Sequence, residues 1–134
     1  MKHIVVDLEM NKIGKEHRNL GCTMETIEIG AIMLDENFQE ISSFRTYVKP
    51  EYNTRITSIV RDLTGITYDM VINAPKFNEA LKMFSNWCLG VDDDIKIYAW
   101  SDNDYKQVSK ELRLKKYDIS TIELKIFSNE WNDF

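Results

Sequence analysis

Apolar and polar positions fall into blocks of two kinds along this chain of 134 residues, some with the two-residue period of strands and others with the period of helices. In the first block, residues 2–8, Ile4, Val5 and Val6 form a continuous β-branched run, the pattern of a central strand covered on both faces. That run turns acidic at Asp7 and Glu9. After the loop KIGKEHRNLGCTM, the segment TIEIGAIMLD places Ile27, Ile29, Ala31 and Met33 on one side, and QEISSFRTYVKP carries Ile41, Phe44, Tyr47 and Val48 in another strand-like run. Residues 35–37 between them, Asp-Glu-Asn, are turn formers, so the two segments are expected to pair as a hairpin.

The period then becomes helical. TSIVRDLTGIT predicts a short helix with Thr57 as N-cap and Gly65 as its stop. APKFNEALKMFSNWCLG predicts a longer one, with Pro75 in the first turn, Phe77, Leu81, Phe84 and Cys88 along one side, and Gly90 at the end. A strand over 95–99 follows, then a helix in NDYKQVSKELRL with Tyr105, Val108 and Leu112 on one face. The final stretch, 117–134, reads as a short strand leading into a helix that carries Leu124 and Phe127.

This order implies an α/β layer fold with a mixed sheet, the first strand parallel to the later ones through right-handed crossovers. The length suits one domain with a real core, and 43% hydrophobic with 29% charged residues is ordinary globular composition. A net charge of -5 excludes a general electrostatic attraction to nucleic acid or anionic membrane, though not an enzyme whose acids are neutralised by cations. Cys22 and Cys88 stand far apart, with no ligand spacing. With no secretory signal pattern or spanning apolar stretch, a reducing cytoplasmic home without membrane contact is expected. The pattern leaves oligomeric state open.

Two carboxylates at i and i+2 of a strand point to the same side, with ~6.5 Å between their Cα atoms. Two readings stand on that spacing alone: a strand end with solvated acids, or a site flanking a hard cation such as Mg²⁺ or Mn²⁺. A second acidic group in WSDND favours the latter, because a parallel neighbour would bring Asp104 to the same carboxyl edge of the sheet. Helix capping is the plainer role for Asp102 and Asp104, and core packing for Trp100.

The segments VVDLEMN, ETIEIGAIMLD, YVKP, LTGIT and YAWSDNDYKQV, in this order over nearly the whole chain, resemble the DEDD-type, DnaQ-like 3′–5′ exonucleases, close to the branch that trims RNA ends. Ser101 and Asp102 depart from the Gly and Asn usual in the second motif. The resemblance implies a ribonuclease H-like mixed sheet with flanking helices. It further implies two Mg²⁺ or Mn²⁺ ions held by Asp7, Glu9 and Asp104, and the 3′ end of single-stranded RNA or DNA as partner. Met10 and Trp100 become candidate substrate contacts. The family's third motif, His-x4-Asp or Tyr-x3-Asp, does not follow Asp104; Tyr98 and Asp102 match the second spacing but straddle the second motif. His3 and His17 are the only histidines, the first expected to pack in its strand and the second to be solvated. A single domain lacking its C-terminal part, weak or inactive as a nuclease, is therefore expected. The alternatives are a catalytically dead binding domain of the same fold and a phosphohydrolase acting on mononucleotides.

Overall fold

The computed structural model describes residues 1–18, 21–91, 93–99, 103–117 and 131–133. Its strands are β1 (Lys2–Lys12), β2 (Met24–Leu34), β3 (Glu40–Tyr47), β4 (Ile95–Ala99) and β5 (Asn132–Asp133). Its helices are α1 (Ser58–Thr64), α2 (Tyr68–Val71), α3 (Phe77–Cys88) and α4 (Asn103–Lys115), with one 3-10 turn at Lys15–His17. The sheet runs β3-β2-β1-β4-β5, antiparallel from β3 to β1 and parallel from β1 to β5. This is the expected mixed sheet.

Local chemistry explains most element ends. In the β2–β3 hairpin, Asp35 Oδ1 accepts from the N–H groups of Asn37 and Gln39 at 2.8 and 3.0 Å, closing the predicted turn. Thr57 caps α1 by accepting from Val60 N–H, and Gly65, at φ 75°, supplies the left-handed stop that a side chain would resist. Pro75 precedes α3 rather than opening it, since the helix starts at Phe77 with Lys76 as its N-cap. The four-residue α2 was too short to leave a period; it forms because Val71 buries against Ile27 and Ile66.

Ile4, Val6 and Leu8 of β1, Ile29, Ala31 and Met33 of β2, and Ile97 and Ala99 of β4 make the sheet's side of the core. Phe77, Leu81, Phe84 and Cys88 of α3, with Val108 and Leu112 of α4, close it from one face. The predicted apolar stripe of α3 is buried; in α4 Val108 and Leu112 are buried and Tyr105 partly so, but Gln107, Glu111 and Lys115 are buried as well. In the last segment the described strand, β5, comes at its end, and the strand expected at its beginning falls outside the described residues. Trp131 packs edge-on to Phe84 and Tyr105, and the side-chain amide of Asn132 donates to Ile97 O at 3.1 Å, seating β5 beside β4. The helix expected to carry Leu124 and Phe127 lies outside the described residues.

Candidate active site

β1 is longer than its apolar run, so Asp7 and Glu9 sit in mid-strand instead of at an end. Alternation puts them on the face opposite Ile4, Val6 and Leu8, which is why neither disturbs the core. Across β2, Asp7 stands opposite Gly30 and Glu9 opposite Glu28, and a bulge follows between Glu9 and Met10. On its other side β1 pairs with β4 only as far as Val5 and Tyr98. Past that point the carboxylate of Asp104, in the first turn of α4, lies near enough to the Leu8 N–H to be pulled down by it and to Asp7 to be pushed up by its charge. Asp104 thus comes beside the strand segment that carries Asp7 and Glu9. The parallel neighbour places the second acid where the sequence pattern expected it.

These groups disfavour one another's charge. Burial and the neighbouring Asp7 push Asp104 up to about 6, against the opposing pull of the Leu8 N–H. Burial raises Asp7, with Glu28 adding to it. Glu9 is raised by burial and then by Asp7, Glu28 and Asp104. Glu28 was not singled out in the sequence, although its place between Ile27 and Ile29, on the non-core face of the strand, was the available signal. It has a counter-charge of its own, Arg45 Nη2 at 3.0 Å, which also donates to Tyr47 Oη at 2.7 Å and lies over that ring.

Beside Glu9, β1 and α1 enclose a cavity of about 460 Å³, lined by Glu9, Met10, Thr57, Ile59, Val60 and Leu63 among others. The volume is in the range of small-ligand sites. Met10 thus borders both the acidic group and an apolar hollow, whose outer wall includes the exposed Ile59 and Leu63. Trp100 and Asp102 lie outside the described residues, as does the stretch 118–130. Neither histidine joins the acids. His3 stacks on Phe38 with its Nδ1 2.9 Å from Tyr98 Oη, and His17 stacks on Tyr52.

A family model described as exonuclease, RNase_T, matches residues 4–129. The chain belongs to this exonuclease family. Its place is among the DEDDh, DnaQ-like 3′–5′ exonucleases of ribonuclease H-like fold that its motifs resemble. The human protein named 3′-5′ exoribonuclease 1 is 39% identical over 64 residues, covering 47% of this chain and 18% of its own length. The rat protein of that name is 29% identical over 109 residues, covering 80% and 31%. This exonuclease chain therefore spans less than a third of the length of those curated relatives. Among solved structures, the nuclease domain of 3′hExo, described as a DEDDh family member bound to rAMP, superposes with a TM-score of 0.74 at 25% identity. The superposition covers 87% of this chain and 60% of that one.

The donor set suits a hard cation. All of its groups are carboxylates, and such ions are held by one or two of them together with water and phosphate oxygens. Among the described residues no three Asp, Glu, His or Cys side chains cluster tightly enough to form a metal site by themselves.

Proposed function

We propose that this chain is the nuclease unit of a metal-dependent 3′–5′ exonuclease that removes nucleotides from the 3′ end of single-stranded nucleic acid, RNA before DNA. The observation that carries the reading is the approach of Asp104, in the first turn of α4, to Asp7 and Glu9 on β1, close enough for the carboxylates to disfavour one another's charge. Support for RNA comes from relatives named exoribonucleases and from the rAMP named with the 3′hExo nuclease domain.

Asp7, Glu9 and Asp104 are the residues that would hold Mg²⁺ or Mn²⁺ here. Such ions, when bound, acidify the attacking water and stabilise the leaving oxygen of an in-line displacement at phosphorus. The chain's own contribution is orientation. The hollow lined by Met10, Ile59 and Leu63 receives the terminal nucleoside and excludes water from its apolar side, which sets its phosphodiester beside Glu9. Arg45 keeps Glu28 neutralised, so that this fourth carboxylate does not compete for the cations.

His3 stacks on Phe38 and His17 on Tyr52, so neither stands beside the acids as an imidazole base. This one observation also favours a second reading, nucleic-acid binding without chemistry. Incubating the purified chain with internally labelled single-stranded RNA and Mn²⁺ separates the two. Slow release of nucleoside 5′-monophosphates that rises with pH and disappears in Asp7→Asn supports the nuclease. Binding with no product at any pH supports the other reading, and turnover that survives Asp7→Asn contradicts the site.

A further inference from the structure

A second cavity, of about 630 Å³, adjoins the first through Thr57 and Ser58, which line both. Its character differs. Asn53, Arg55, Thr57, Ser58, Arg61 and Tyr68 contribute to its lining, which includes two arginines and no acidic residue. In a chain with 22 Asp and Glu against 17 Lys and Arg, such a concave acid-free surface stands out. Among the described residues the Arg55 guanidinium has no ion-pair partner. Arg61 Nε is 3.8 Å from Asp62 Oδ1, but that aspartate is 75% exposed and is not part of the lining.

The segment that presents these groups is fastened to the strand of the acidic site. Asn11, fully buried two positions beyond Glu9, donates from Nδ2 to Arg55 O at 2.8 Å and accepts from Thr57 N–H at 3.0 Å. Asn53 Nδ2 donates to Lys12 O at 2.7 Å, while its Oδ1 accepts from Arg55 N–H at 3.0 Å. The backbone under Arg55 is therefore held in register with β1, which lowers the ordering cost of using it for binding.

We infer that this cavity is a phosphate-binding subsite for an oligonucleotide whose terminal nucleoside occupies the neighbouring apolar hollow. Arg55 and Arg61 supply planar, multidentate donors for a phosphate group, the hydroxyls of Thr57 and Ser58 add single donors, and Tyr68 offers a ring for base stacking. The inference rests on the proposed substrate class but not on turnover. The phosphate is either an internal diester of the strand or a terminal monoester, since both present the same oxygens.

The test is fluorescence anisotropy of a labelled oligouridylate with the full chain in EDTA, where no hydrolysis takes place, repeated over a range of salt. The expected result is that Arg55→Ala with Arg61→Ala weakens binding about tenfold or more and flattens the dependence of log K on log salt by about 1.4, two contacts at about 0.7 each. Lysine at both positions should restore most of the slope but not all of the affinity. Equal losses for 3′-hydroxyl and 3′-phosphate oligomers identify an internal diester; a loss confined to the 3′-phosphate form identifies a terminal group. No detectable binding by the unaltered chain, or binding indifferent to the arginines, overturns the subsite. Because metal and turnover are absent, failure of the nuclease reading leaves this readout intact. Both arginines are exposed, and thermal melts matching the unaltered chain establish that folding is preserved.

Discussion

Two places in this molecule gather carboxylates, and they are handled in opposite ways. In the interior, Glu25 and Glu111, both fully buried, and the partly exposed Glu51 surround Lys115, whose Nζ lies 3.1, 2.8 and 3.2 Å from them in that order. Backbone and side-chain donors complete the shell. Glu25 accepts from the N–H groups of Glu51 and Tyr52, and Glu111 from Thr26 and Gln107. Burial works against the ammonium of Lys115, yet Glu111 and Glu25 outweigh it and hold the lysine charged well above its ordinary range. At the sheet, Asp7, Glu9 and Asp104 have a single backbone N–H assigned to Asp104 and all are pushed toward the protonated form. One trio comes with its own cation, whereas for the other no cationic side chain pairs with it among the described residues. Carboxylate number therefore says little about function; the source of the counter-charge distinguishes a structural bolt from a site.

The interior cluster yields the largest expected effect. Lys115→Met leaves buried carboxylates without their cation and should cost about 3–5 kcal/mol in urea unfolding, with added Mn²⁺ giving no specific rescue. Retained stability would show that the cluster does not depend on its lysine.

At the sheet the sign reverses. The folded-state pKa of Asp104 is raised from 3.8 to about 6, so the unfolded chain loses this proton first as pH rises and the folded state is penalised increasingly across that window. Asp104→Asn keeps an acceptor for the Leu8 N–H and removes the charge. It should stabilise the metal-free protein by ~1 kcal/mol at neutral pH, after allowance for solvent screening, and by nothing below the lower pKa. Melting curves in EDTA at both pH values check this. A destabilised Asp104→Asn protein at neutral pH would mean that the charge is already compensated.

Arg45→Met should have the smallest effect. Arg45 is 64% exposed and pairs with Glu28 at the surface, so stability should hardly change. Removing it should nonetheless raise the Asp7 and Glu9 titrations further, which carboxyl-resolved NMR would follow. Unmoved titrations would separate Glu28 from the acidic group.

The sequence carried the fold because its signals were local and redundant: β-branched runs, a hairpin turn with Asp35 at its head, and two helices with clear apolar stripes. It carried the position of Asp7, Glu9 and Asp104 because alternation and parallel pairing are fixed by backbone geometry. The interior cluster was hidden for a physical reason. Gln107, Glu111 and Lys115 recur at helical spacing like any solvated polar face, and only contact with Glu25 and Thr26 of β2 and with Glu51 makes that stripe interior. The apolar cavity was equally hidden, since α1 meets β1 there from more than forty residues away in sequence. Asn11, whose side chain joins β1 to residues 55 and 57, looked like the polar end of a strand.

The proposal that Asp7, Glu9 and Asp104, unpaired with any cation among the described residues, take a divalent ion is tested most directly by titrating Mn²⁺ into the metal-free chain in a calorimeter, alongside Asp7→Asn. The account predicts a saturable heat for the unaltered protein that vanishes in Asp7→Asn while Lys115 and its carboxylates remain undisturbed. Absence of binding by the unaltered chain, or binding that persists without the Asp7 charge, would contradict it.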